Sequence, residues 1–170
     1  MPRADEVDLT DYLKELPVGT VVQVVNTQAG EIVTGTTLIP LDDTIPQNTE
    51  GVECMTLAIT PTNASNKLLI QVVANSSHSA SNPTYTVALF QDDTVNALAA
   101  IGSFNSDSST DRPLSRVLNH FMTAGTASPT TFKVRIGANV GGTLTFNGIA
   151  GARYYGGVMA SSITITEIKA

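Results

Sequence analysis

Tryptophan is absent, cysteine occurs once and histidine twice in 170 residues, and aromatics make up only 5% of the chain. A core built from this stock must be mostly aliphatic. Cys54 alone cannot close an internal disulfide or form a metal knuckle. Its neighbours Val52, Met55 and Leu57 mark it as a buried thiol that fills space like a small hydrophobe. With His78 and His120 the only imidazoles, a His/Cys metal cluster has too few ligands, so neither metal nor cofactor is expected. Hydrolytic chemistry needs a nucleophile beside a base, or two carboxylates in opposed environments. Neither arrangement stands out, and no glycine-rich nucleotide loop runs from a strand into a helix. The expected activity is binding without a reaction.

Positive charge is also scarce: nine Lys and Arg against fifteen Asp and Glu leave a net charge of −6. A nucleic-acid partner, which would require a basic surface, is therefore not expected. No apolar run reaches the roughly 18 residues that a membrane-spanning helix needs. Residues 1 to 17 are acidic and amphipathic, unlike a secretion signal. The expectation is a protein made in the cytoplasm that reaches the outside, if at all, by lysis of the cell.

The residues that are plentiful (Thr, Ser, Ala, Val, Ile and Gly) favour strands. The length suits one core. From Ser162 the chain alternates small or polar residues with Ile163 and Ile165, ending at Ile168 after Glu167, the period of a half-buried strand. Two glycines, Gly156 and Gly157, precede it. This reads as a closing strand paired inside a sheet. Earlier strands are expected at Thr20–Asn26 (covered on both faces), Glu31–Ile39, Val52–Thr60, Lys67–Ala74, Thr84–Gln91, Asn96–Phe104, Leu114–Met122, Thr130–Ile136 and Thr143–Asn147. Asn75–Pro83, Asn105–Arg112 and Gly148–Gly157 read as loops. About ten short strands without crossover helices predict an all-β, two-sheet antiparallel jelly-roll sandwich over residues 19–170.

Residues 1–18 differ. Leu9, Tyr12, Leu13 and Leu16 fall on one helical stripe, Asp8 is a suitable N-cap, and Pro17 and Gly19 stop the helix. So short a helix must pack on something, which makes it the expected attachment arm.

Several side chains invite a role. Arg153, Tyr154 and Tyr155 lie between glycines, and Tyr with Arg is the composition of recognition hot spots. They either contact a receptor or glycan, or cover the end of the sandwich. His78 in a Ser/Asn stretch reads as a solvated loop residue within reach of a receptor. Arg116 shares a strand face with Leu118, His120 and Met122, where an unpaired charge is costly. An intersubunit salt bridge to Asp111 or Glu167 would resolve that, making Arg116, Leu118 and His120 a trimer interface. Asp42-Asp43 and Asp92-Asp93 suit Asx turns better than a calcium site, which needs wider ligand spacing.

Four stretches together resemble a known family: Gly19-Thr-Val-Val-Gln-Val-Val25, Ile59-Thr-Pro-Thr-Asn-Ala-Ser-Asn-Lys-Leu-Leu-Ile70, Thr131-Phe-Lys-Val-Arg-Ile136 and Ser161-Ser-Ile-Thr-Ile-Thr-Glu-Ile168. The likeness is to small β-sandwich domains found at the ends of tailed-bacteriophage fibres and in related virion structural proteins. It spans about residues 19 to 168. It implies a jelly roll of the tumour-necrosis-factor type that assembles as a homotrimer and is located in the virion. The long repetitive shaft usual in that family is missing, which gives the N-terminal arm the anchoring role toward other virion proteins. Two functions follow from the resemblance: a fibre or receptor-binding knob that contacts a host-surface glycan or protein, or a capsid-decoration or head-fibre subunit that reinforces the shell.

Overall fold

The computed structural model describes residues 12, 13, 15–104 and 109–170. The described chain is almost entirely strand. In order these are β1 (Val21–Ala29), β2 (Val33–Gly35), β3 (Val52–Ile59), β4 (Lys67–His78), β5 (Thr84–Gln91) and β6 (Ala99–Phe104). They continue with β7 (Leu114–Thr123), β8 (Thr130–Ala138), β9 (Leu144–Phe146), β10 (Gly148–Ile149), β11 (Ala152–Arg153) and β12 (Ser161–Ile168). Every pairing is antiparallel.

The first sheet runs β1-β12-β4-β7, and the second β3-β8-β5-β6. Successive strands pass between these two sheets in the order of a jelly roll. The closing strand β12 lies between β1 and β4, as its alternation predicts. β4 is long enough to take two partners on one side: β12 along Lys67–Val73 and β9 along Ser76–His78, with β2 beyond β9. The gap between them is filled by polar side chains. Asn147 is fully buried and donates to the carbonyls of Ala29 (2.5 Å) and Glu31 (3.1 Å), while accepting from Ser161 Oγ (2.6 Å).

Between the sheets, Ile70, Val72, Ile163 and Ile165 meet Val87, Leu89, Phe132, Val134 and Ile136, all at most 1% exposed. The fill is largely aliphatic, as a chain so poor in aromatics requires. Cys54 packs at the rim of this core beside a register shift in β3, and burial pushes its thiol up to about 12. It is a space-filling residue.

Some expected elements differ. The Glu31–Ile39 strand shortens to β2, because the chain leaves the sheet to cross the outside of the molecule. β6 begins at Ala99, and Asn96 instead makes an isolated bridge to Gln47. β1 is not covered on both faces: Val21 and Val24 are about half exposed, since β1 is an edge strand and no described residue covers its outer side. Tyr12, Leu13 and Glu15 are helical, whereas Leu9 lies outside the described residues.

Two buried charges organise the interior, and neither pairs with the other. Glu167, at the inward-facing end of β12, is fully buried. Its carboxylate accepts from Thr62 N (2.9 Å), Thr62 Oγ1 (2.8 Å), Asn66 Nδ2 (2.6 Å) and Gln23 Nε2 (2.5 Å). Burial pushes its pKa up, but the hydrogen bonds from Asn66, Gln23 and Thr62 outweigh that and hold it below the ordinary value. Gln23, Thr62, Asn66 and Glu167 belong to three of the four stretches that carry the family resemblance. The second charge, Arg116, is 4% exposed and points into the sandwich. Its guanidinium lies 3.8 Å over the Tyr85 ring, donating to Ser103 Oγ (2.6 Å), Ser76 Oγ (2.8 Å) and the Leu114 carbonyl (3.2 Å). Burial lowers its pKa to about 10. The expected intersubunit bridge from Arg116 is therefore corrected. Its partners are hydroxyls and a ring of its own protomer, and Glu167 is held elsewhere.

A group whose folded pKa is depressed contributes stability above the unfolded value and loses it as pH falls through the folded one. Glu167→Gln is accordingly predicted to lower stability at pH 7 by about 2 kcal/mol, the scale of hydrogen bonds to a charged group. The gap from the parent protein should close as the pH is taken below the ordinary glutamate range, as followed by denaturant unfolding at a series of pH values. Arg116→Ala is predicted to cost about 2–4 kcal/mol by leaving buried acceptors unpaired and opening a cavity. It should leave the mass of the folded particle unchanged, which light scattering checks.

Candidate functional site

Most of the exposed apolar side chains that share a regular surface lie on the outer face of the first sheet. The strand registers align three rows across β1, β12, β4 and β7: Val24–Thr166–Leu69–Phe121, Asn26–Thr164–Gln71–Asn119 and Gln28–Ser162–Val73–Val117. Phe121 is 58% exposed, Val24 55% and Val117 51%. The middle row is tied by Asn26 Nδ2 to Thr164 Oγ1 (2.8 Å) and Gln71 Nε2 to Asn119 Oδ1 (3.3 Å). No residue in these rows is charged. Lys67, in the next row toward the chain ends, is the first charge met on β4. A solvated sheet face ordinarily carries charges of both signs, so this face has the composition of a contact surface rather than of bulk exposure.

The second sheet deals with its outer face differently. The segment between β2 and β3 folds across it and buries Ile39 against Ala88 and Phe90, all at most 1% exposed. Ile39 N donates to the Ala138 carbonyl (3.1 Å), and Arg135 Nε and Nη2 hold the Glu50 and Gly51 carbonyls at 2.7 and 2.9 Å. The fit depends on glycine. A Cβ at Gly137 would stand 2.7 Å from Ile39 Cγ1, and Gly51 combines φ +63° with an equally close approach to Ile39. The charges on this side are paired at the surface, Lys133 with Asp93 and Arg135 with Glu53.

The residues singled out from the sequence fall in four places. Arg116 and Leu118 are inside the protomer, and His120 is half-buried on the same inward face, where burial lowers its pKa. The alternation along β7 is as expected, but the set that faces outward is the opposite one, Val117, Asn119 and Phe121. The signal was present as two large apolar residues on a strand face otherwise made of Ser and Asn. His78 is corrected from solvated loop to buried strand: it is 2% exposed, packs edge-on to Tyr85 at 6.0 Å, and its Nδ1 accepts from Ala80 N. Burial lowers its pKa, and nearby Asp111 only partly offsets this. It cannot touch a receptor.

Arg153, Tyr154 and Tyr155 are exposed, as a contact loop requires. The two rings meet edge-to-face at 5.9 Å, and Tyr155 opens a single 3-10 turn with φ +49°. On the arm, Tyr12 is exposed, while Leu13 lines a cavity of about 210 Å³ with Val22, Asn66 and Lys169. Lys169 Nζ donates to the Leu16 carbonyl, fixing the base of the arm beside the chain terminus. Of the expected loop 105–111, residues 105–108 lie outside the described residues. Asp42 closes an Asx turn onto Thr44 N (2.8 Å), as its position suggests. Among the described residues no three His, Cys, Asp or Glu are grouped to hold a metal, and no helix is long and apolar enough to cross a membrane.

No family model matches the chain, and no curated protein matches it. Solved structures with a similar strand arrangement include the Eiger TNF of S. frugiperda, at 13% identity and TM-score 0.44, covering 86% of this chain and 94% of that one. The infectious bursal disease virus Gt strain structure is 12% identical, TM-score 0.44, covering 87% of this chain and 38% of that one. The enzymatically active domain of bacteriophage CBA120 tailspike protein 4 is 15% identical, TM-score 0.29, covering 77% and 19%. The fold rests on this chain's own strand order, and no function is carried over from these proteins.

Proposed function

We propose that this chain is a structural protein of a tailed-bacteriophage virion: a knob that trimerises through the outer face of its first sheet and joins the particle by its N-terminal arm. The observation that carries the assembly is the contrast between the two outer faces. The chain spends some fifteen residues covering one, and leaves on the other an uncharged surface bearing Phe121, Val117, Val73 and Val24. A second and third copy of the same face would remove those side chains from water at about 25 cal/mol per Å². Three copies, and the phage context, come from the family resemblance, whose stretches build β1, β12, the β3–β4 turn, β4 and β8. Lys169 holds the base of the arm at the Leu16 carbonyl, and the arm is the segment that joins a neighbour in the particle. The knob binds and catalyses nothing.

Light scattering of the purified chain at micromolar concentration is predicted to give three times the 17.8 kDa chain mass. The double variant Val117→Lys/Phe121→Lys should be a folded monomer with an unchanged β circular dichroism spectrum. A monomeric parent protein, or a variant that keeps the parent mass, would contradict the assembly. Deleting residues 1–16 should leave a trimer that no longer joins virions. Loss of the trimer instead would show that the arm belongs to the core. Copy number separates the two locations: a few trimers at the tail indicate a receptor-binding knob, and hundreds over the head a decoration protein.

A further inference from the structure

We propose that the hydroxyl-lined cavity at the far end of the first sheet is a glycan subsite that takes one neutral sugar ring, with Asp111 as its principal acceptor. This deepens the knob reading above and rests on it.

The cavity, about 480 Å³, is bounded by Thr34, Ser79, Asp111, Thr143, Thr145 and the Ala150–Gly151 turn. That size falls within the roughly 300–1,000 Å³ of small-ligand sites. Its walls follow from register. Thr34 pairs with Thr145, and Thr145 with Ser77, so three hydroxyl residues stand in one row across β2, β9 and β4. Ser79 and Thr143 are clamped beside them, with Ser79 N donating to the Thr143 carbonyl (3.0 Å) and Thr143 N to Ser79 Oγ (2.8 Å). The β10–β11 hairpin is anchored to the same surface by Gly151 N, which donates to Thr145 Oγ1 (3.0 Å).

Two polar atoms, one on lining residue Asp111 and one on Ser77 in the adjoining row, have their hydrogen bonding unfilled. Asp111 Oδ1 and Ser77 Oγ are buried and have no partner among the described residues, although native proteins satisfy nearly all such groups. Asp111 is held in the left-handed region at φ +60°, its N–H donating to the His78 carbonyl (2.8 Å). A carboxylate set this firmly beside a shelf of hydroxyls is pre-organised to accept from a ligand.

The lining selects the ligand class. Among the described residues no Lys or Arg bounds the cavity, so none of them holds an anion there. The single carboxylate among the described lining residues is too few for a calcium cage. A pyranose presents several donors and acceptors at once, which suits Thr, Ser and a single Asp. Three residues beyond Gly151 the chain reaches Tyr154 and then Tyr155, whose exposed rings offer the flat apolar faces on which further sugar units stack.

The test is saturation-transfer NMR on the full chain with free glucose, galactose, mannose and N-acetylglucosamine, followed by titration of any binder. At least one sugar should receive saturation from the parent protein. Asp111→Asn, which keeps a residue tolerant of the left-handed conformation, and Thr34→Val, which removes an exposed lining hydroxyl on β2, should each weaken it at least tenfold with unchanged thermal midpoints. Absence of transfer from all four sugars, or binding untouched by both variants, would overturn the subsite. Both variants should still trimerise and enter virions. Failure of the sugar test with assembly intact counts against this subsite alone, whereas loss of assembly in the parent protein counts against the knob.

Discussion

A β-sandwich hides the inner faces of its sheets against each other and is left with two outer faces, each half made of side chains its strands must carry. In this chain the two are treated oppositely. One is sealed from within by the segment around Ile39, which requires Gly51 and Gly137 to let it lie close. The other has no cover among the described residues and no charge across its central rows. Apolar residues as large as Phe121 on such a face are the physical reason for expecting further copies, and the proposed assembly follows from it.

The bare face is also held rigid. β1, the β3–β4 turn, β4 and β12 are locked together by the buried carboxylate of Glu167, which accepts from Gln23, Thr62, Asn63 and Asn66. At the other end of the same sheet, Asn147 with Ser161 joins the two strand sets that share β4. A surface fixed at both ends in this way loses little freedom on association, which favours a defined contact. Three of the four sequence stretches singled out above meet at Glu167.

Much of this was legible in the sequence. The Ile163–Ile165 alternation, the boundaries of β5 and the two faces of β7 are local patterns, and they appear where periodicity places them. What failed to read was set at long range. Asn75–His78 looks like loop because Asn and Ser favour turns, yet β9 and the β10–β11 hairpin bury it as the end of β4. Arg116 finds Tyr85, Ser76 and Ser103, all distant in sequence, so no spacing rule could pair them. The face of β7 that meets solvent depends on which side the second sheet packs, which periodicity does not say. The cavity beside Asp111 likewise exists only once β2, β9 and β4 are in register.

The most direct measurement is site-specific cross-linking across the bare face. In a Cys54→Ser background, a cysteine replacing Gln71, at the centre of the uncovered rows, should be joined between copies by a short bis-maleimide. One replacing Thr56, on the second sheet, should stay unlinked under the same conditions. Cross-linked species from the Gln71 position alone are the predicted result. Equal linking at both positions, or none at Gln71, would contradict the account.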